Sequence, residues 1–411
     1  MHPCLASEGA VPATVRPRWE LADVFRVHGA QYRREHSLPG AHVKVMRLIE
    51  TCRTAELGGH LERCNACGYE RPAYNSCRDR HCPKCQTLAK EKWLEDRTRE
   101  LLPVKYFHNV FSLPHDLNPL ILVNKAVGLA ILFRAAAEAL QDFAADPRWK
   151  LGGQLGFLAV LHTWSQTLLD HFHIHCVIPA GALSFDRTRW IPCPREDFLF
   201  HVEALSRTFR GKFLYYLKQA YKENRLVFPG QVASLAKPRQ FYRLFRSLKE
   251  KDWVVYSKEP FAGPDHVMKY LARYTHRVAL SNDRIKNVSD GQVTFSYRDR
   301  TDNDCVKEMT LPATEFIRRF LLHVLPDGFV RIRHFGFLAN AAKKHALTVI
   351  RRRLRQPEQI SEKTDDSVRA VMLRLTGVDI TVCPHCKIGT MTRVGVLPRT
   401  PQLQPPLCRS P

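Results

Sequence analysis

Two Cys-x-x-Cys pairs, Cys64-Asn-Ala-Cys67 and Cys82-Pro-Lys-Cys85, stand fourteen residues apart. No other feature restricts the fold so tightly, because a tetrahedral site draws four thiolates to one ion and closes the intervening chain into a loop. Gly68 follows the first pair and Pro83 lies inside the second, turn residues where tight knuckles need them. The chain has 13 cysteines and its first residues show no secretory pattern, so metal or reduced thiols are expected rather than a disulfide framework. Cys64, Cys67, Cys82 and Cys85 are expected to share one structural zinc ion, with Cys77 and His81 ranked below them as ligands and Cys52 and His60 also near. No thioredoxin-like βαβ pattern surrounds either pair, which disfavours a redox role. A third pair, Cys383-Pro-His-Cys386, has no partner pair in the tail and reads as an inert tail motif ahead of half a site completed in a dimer or by further sequence.

Charge points to a polyanionic partner. Of 411 residues, 63 are Lys or Arg and 40 are Asp or Glu, a net charge of +23. The stretch 331–355 contains Arg331, Arg333, Lys343, Lys344, Arg351, Arg352, Arg353 and Arg355 without one acidic residue. Such a stretch neutralises phosphates and releases condensed counterions, so nucleic acid is favoured over an anionic membrane surface. The longest uncharged segment, 151–169, is interrupted by Gly152, Gly153, Gln154, His162 and Gln166, so no membrane span is expected.

Hydrophobic periodicity predicts helices over 21–35, 41–53, 87–101, 118–143, 202–223, 239–249 and 265–277, and strands over 106–113, 156–164, 171–178 and 293–297. Residues beyond 312 read as helix, then a strand near 329–334, then helix to about 354. Mixed strands and long helices without a βαβ rhythm give an α+β fold class. The expected organisation is a loose leader over 1–18, a small helical and zinc-ribbon-like DNA-recognition domain over 19–103, a catalytic domain over 104–345, and a basic helix end with a proline-rich tail over 346–411.

His171-Phe-His-Ile-His175 places three imidazoles at alternate positions, on one face of a strand. Three histidines in this register on an otherwise apolar strand are better explained as a metal site than as packing. Two of the three would leave a divalent ion open to a third protein ligand, with Gln166 preferred and His162 and His171 as alternatives. Tyr270-Leu-Ala-Arg-Tyr274 lies in a helical pattern, where a spacing of four sets both phenols on one face beside Arg273, His276 and Arg277. A tyrosine can attack a phosphodiester and keep the bond energy in a phosphotyrosine.

His173-Ile-His175 resembles the His-hydrophobic-His motif of HUH endonucleases, and Tyr270 with Tyr274 resembles the paired nucleophiles of their two-tyrosine branch. Together with Leu161-His-Thr-Trp-Ser-Gln-Thr-Leu-Leu169, Arg333-His-Phe-Gly-Phe-Leu-Ala-Asn340 and Asn75-Ser-Cys-Arg-Asp-Arg-His-Cys-Pro-Lys-Cys85, these motifs resemble the rolling-circle transposases of the insertion sequence 91 family over about residues 60–340. Phe172 stands where that family commonly has proline, and 180–182 is less glycine-rich than its usual turn. The resemblance implies an antiparallel HUH sheet with flanking helices, its histidines on a central strand. It also implies Mg2+ or Mn2+ at His173 and His175, and cleavage of single-stranded DNA at element ends through a 5′-phosphotyrosine. Arg273, Arg277, Arg331, Arg333, Lys343, Lys344, Arg351, Arg352 and Arg353 are the expected DNA contacts. No Walker-type loop is present, so strand separation would need a host helicase. The bacterial cytoplasm, in association with the nucleoid, is the expected location. A replication initiator or relaxase would share this chemistry, while a zinc-dependent DNA-binding regulator would explain the cysteines and charge but not the histidines and tyrosines.

Overall fold

The structure, a computed structural model, describes residues 18–195, 197–261, 266–267, 278–299, 301–357 and 367–400. In chain order its elements are α1 (Leu21–Glu35), α2 (Gly40–Glu50), β1 (Gly59–Cys64), β2 (Glu70–Tyr74), α3 (Pro83–Glu100), β3 (Tyr106–Ser112), α4 (Asn118–Val123) and α5 (Lys125–Ala145). There follow β4 (Gly153–Gln154), β5 (Gly156–Trp164), β6 (Asp170–Pro179), β7 (Gly181–Ser184), β8 (Trp190–Pro192), α6 (Val202–Lys222), α7 (Pro238–Glu250) and β9 (Val255–Phe261). The last described elements are β10 (Ile285–Ser289), β11 (Gln292–Asp299), β12 (Cys305–Pro312), α8 (Ala313–Leu321), β13 (Ile332–Gly336), α9 (Asn340–Arg353), α10 (Val368–Thr376) and β14 (Met391–Leu397). The α+β class holds, with every paired strand antiparallel.

The chain divides into two compact units, and the division is not linear as the sequence suggests. Among the described residues, those within 18–92, 278–324 and 367–400 make one, and those within 93–267 and 325–357 make the other. Long-range packing decides this: Phe25 of α1 meets Phe320 of α8 edge to face at 5.5 Å, and β14 pairs with β1 from Gly59↔Leu397 to Cys64↔Met391. The described residues 367–400 of the expected tail and 278–324 of the expected catalytic domain thus fall with the N-terminal elements, while 346–357 fall with the second unit.

In the first unit α1 and α2 pack together, tied by Arg33 to Glu50 at 2.6 Å. Its sheets are β14-β1-β2 and β10-β11-β12, with Phe316 of α8 set against Phe295 of β11. Phe25, Phe295 and Phe316 have no exposure.

In the second unit a five-stranded sheet runs in the order β13-β5-β6-β3-β9. The period of two sorts β6 cleanly: Phe172, Ile174, Cys176 and Ile178 enter the core built with α5 and α6, while His171, His173, His175 and Val177 take the other face. That other face is covered at one end by Leu94 of α3 and by Val267, packed with Tyr106, Leu158, Val160 and Val177. Sequence periodicity missed β9, which closes the sheet edge beside β3. Among the described residues no helix is long and apolar enough to cross a membrane.

Candidate active site

β5 and β6 form a hairpin whose register sets His162 opposite His173 and Val160 opposite His175. On the far side β3 sets Ser112 opposite His173 and Val110 opposite His175. His162, His173 and His175 are all buried, and their ligating nitrogens lie within 4.8 Å of one another. Ring centroids are 4.6 Å apart for His162 and His175, and 4.9 Å for His173 and His175. Apolar strand residues beneath them cost too much to open, so the rings are held by the sheet itself.

Two hydrogen bonds orient the rings. His173 Nδ1 donates to the carbonyl of His171 at 2.8 Å, which leaves Nε2 with its lone pair outward. His175 Nδ1 lies 3.0 Å from Nε2 of His108, a nearly parallel ring with 2% exposure. Such outer contacts set tautomer and ring angle in metal-ligating histidines. Three imidazoles on one wall could hold a divalent ion, whose remaining positions would be open to other donors.

The third imidazole of the group is His162, one of the alternatives expected beside Gln166. Gln166 sits in the turn that joins β5 to β6, half-buried. His171 is directed to the rim, where its Nδ1 lies 3.2 Å from His115 Nε2. His108 was not expected, although its place in a strand already read from periodicity could have marked it, since it shares the parity of the neighbouring histidines' face. Tyr270, Arg273, Tyr274, His276 and Arg277 lie outside the described residues.

The cysteines do not form the single expected site. Cys52, Cys77, Cys82 and Cys85 gather in one group, and Cys64, Cys67, Cys383 and Cys386 in another. Strand length is the reason. Cys64 and Cys67 occupy the tip of the β1-β2 hairpin, whereas Cys77 follows β2 at its base, and five strand residues span about 17 Å. Arg53 N donates to Asn75 O at 3.0 Å, which brings Cys52 to that base. His81 turns instead to Asp79, 2.9 Å away, and this pairing holds the Asp79 carboxyl below the usual range despite burial.

In the first group the Sγ atoms of Cys52 and Cys77 each lie 3.5 Å from Cys85, and Cys82 lies 3.7 Å from Cys52. A tetrahedral zinc thiolate with Zn–S of about 2.3 Å has S···S edges of about 3.8 Å, so these spacings suit zinc and exclude a disulfide.

Several cations of the basic stretch make contacts within the fold. Lys343 is bound to Glu100, Arg351 donates to the Arg99 and Leu101 carbonyls, and Arg333 stacks over Phe133 with its guanidinium carbon 4.2 Å from the ring centroid. Lys344, Arg352 and Arg353 are exposed along α9, and Arg331 is half-buried.

Residues 156–346 match the family described as "Putative transposase", and residues 24–113 match "Transposase zinc-binding domain". The chain is 47% identical over 380 residues to "Putative transposase y4qJ" of Sinorhizobium fredii, covering 92% of this chain and 95% of that protein. It is 28% identical over 309 residues to "Transposase for insertion sequence element IS801" of Pseudomonas savastanoi pv. phaseolicola, covering 74% and 72%. No solved structure matches. With a zinc-binding segment that carries the first cysteine group, a histidine-bearing antiparallel sheet, and near full-length similarity to such a protein, the chain belongs to the insertion sequence 91 family of transposases.

Proposed function

We propose that this transposase nicks and rejoins single-stranded DNA at the ends of its element by tyrosine transesterification. The observation that carries the reading is the convergence of His162, His173 and His175 on one face of the antiparallel sheet, two of them on its central strand. A divalent ion held there, Mg2+ or Mn2+, would polarise the scissile phosphate and neutralise charge as the transition state forms. Imidazole prefers softer ions than Mg2+, so the hard oxygen donors would come from the phosphate itself.

The nucleophiles in this reading are Tyr270 and Tyr274. Val267, three residues before Tyr270, is fully buried against Val160 and Val177 on the histidine face. In the helix that periodicity predicts for 265–277, positions 267, 270 and 274 share one stripe, which supports phenols directed toward that face. One phenol oxygen attacks phosphorus, the bond to the 3′ oxygen breaks, and a 5′-phosphotyrosine and free 3′-hydroxyl result. An ordinary phenol has a pKa near 10, so Arg273 and Arg277 would stabilise the phenolate. The second tyrosine permits a second cleavage while the first end is still attached, as strand transfer between donor and target requires.

Cys52, Cys77, Cys82 and Cys85 hold a structural zinc ion, since four thiolates leave it no open position. Lys344, Arg352 and Arg353 supply phosphate contacts, with Arg331 beside them, and a host helicase separates the strands.

Incubation with labelled single-stranded element ends and Mg2+ or Mn2+ tests the reading. A covalent protein-DNA adduct is expected from the wild type and from at least one of Tyr270→Phe and Tyr274→Phe, and none from the double variant. A folded double variant that still attaches to its cleaved strand would send the nucleophile elsewhere, first to Tyr297.

A further inference from the structure

The pair at Cys383 and Cys386 has a partner after all, at the opposite end of the chain. Cys64 Sγ lies 3.7 Å from Cys386 Sγ, and Cys67 Sγ lies 3.8 Å from Cys383 Sγ. These are the edges expected of a tetrahedral zinc thiolate, about 3.8 Å, and not of a disulfide, about 2 Å.

The two pairs are built alike. In each, the residue after the second cysteine adopts a left-handed conformation, Gly68 at φ 73° and Lys387 at φ 61°. In each, that residue's N–H donates to the carbonyl of the first cysteine, Gly68 to Cys64 at 3.2 Å and Lys387 to Cys383 at 3.0 Å. Backbone N–H groups also approach sulfur: Ala66 to Cys64 Sγ at 3.4 Å and Gly389 to Cys386 Sγ at 3.3 Å. Donors aimed at sulfur favour the thiolate. A lone surface Cys-x-x-Cys has no need of this repeated turn, whereas a knuckle that grips an ion does.

The knuckles are also joined by main-chain contacts. Asn65 N donates to Thr390 O at 3.1 Å, and Thr390 N donates to Asn65 Oδ1 at 2.8 Å. Gly389 fits because it has no side chain: a Cβ there would stand 2.4 Å from Cys64 Sγ. Cys383 is fully buried, and Cys64 nearly so. β14 then leaves this junction and pairs along β1, making β1 a central strand.

We propose that Cys64, Cys67, Cys383 and Cys386 hold a second structural zinc ion that staples the C-terminal segment to the N-terminal hairpin within one chain. The protein then carries two zinc ions, and the recognition unit is completed only when its last segment is made. A chain lacking that segment has a hairpin tip with two unliganded thiolates and a bare β1 edge, a surface prone to wrong pairing.

Zinc content of the native full chain is the direct measurement. The wild type is expected to hold two zinc ions and the Cys383→Ser, Cys386→Ser double variant one, while Cys383→His, which keeps a ligand, restores two. One ion in the wild type, or two in the double serine variant, overturns the proposal. Alkylation of wild-type protein during stepwise chelation needs no variant: Cys64, Cys67, Cys383 and Cys386 become reactive together as one ion leaves. Full reactivity of Cys383 and Cys386 before any zinc is lost overturns it. Closure within one chain has its own arm. A mixture of the double serine variant with Cys64→Ser, Cys67→Ser should stay at one zinc per chain, and recovery of a second ion on mixing would place the site between copies.

Discussion

His162 and His173 face each other across two hydrogen-bonded strands, so each ligand of the proposed centre is positioned by sheet register rather than by a loop. His162→Ala, His173→Ala and His175→Ala are each expected to lower strand cleavage by a factor of about 100 or more, the scale of losing a preorganised electrostatic contact. Affinity for the single strand should change less than about threefold, because binding rests on many phosphates. Parallel cleavage and binding assays check this. Gln166→Ala is the discriminating control: with three imidazoles closing the site, it should cleave within a few-fold of wild type. A loss equal to that of His162→Ala would restore Gln166 as the third ligand.

His334 gives a second prediction at this scale. Burial, with Arg97 and Lys343 adding repulsion, lowers its pKa to about 4. The folded protein therefore prefers the neutral ring, and the unfolded chain binds its proton near pH 6.5. Its contribution to stability is complete above about pH 6.5 and is lost as pH falls toward 4. Urea midpoints measured over this range should fall less steeply with acid in His334→Gln than in wild type.

At the scale of elements, β13 ends on Gly336, where φ is 59° and an added Cβ would lie 1.6 Å from the Leu155 carbonyl oxygen. Gly336→Ala should cost at least about 2 kcal/mol, combining left-handed strain with a backbone clash. Denaturant titration gives the number, and a loss below about 0.5 kcal/mol would mean that this turn is softer than its geometry implies. The same strand carries Arg333, whose guanidinium stacks on Phe133 and so ties β13 to α5. β6 was legible because alternation of His and apolar residues survives any packing of its two faces. β9 was not, since Lys258, Glu259 and Pro260 interrupt its apolar pattern.

Over the whole molecule, +23 of formal charge gives an affinity for single strands that falls linearly with log salt, with a slope near −0.7 for each phosphate neutralised. Arg352→Ala with Arg353→Ala should reduce that slope by up to about 1.4, while Lys343→Ala, which removes an internal partner of Glu100, should lower stability and leave the slope within error. Fluorescence anisotropy from 50 to 200 mM salt separates the two. Equal slope changes would remove the distinction between exposed and half-buried cations on α9.

Local order and chemistry were present in the chain's own pattern. The histidine strand, the long helices α5 and α6 and the metal character of the cysteine pairs follow from periodicity and spacing, which depend only on neighbours a few residues away. Partnership was a different matter. Cys64 and Cys67 lie fifteen residues from Cys82 and Cys85 at the nearest knuckle ends, yet the rise along β2 separates them, while Cys383, 316 residues beyond Cys67, is set against it where β14 pairs with β1. His162 joins the imidazole group because hairpin register sets it opposite His173, a pairing that spacing along the chain does not give. Spacing names the ligands that chemistry wants, and the stiffness of paired strands decides which of them can meet.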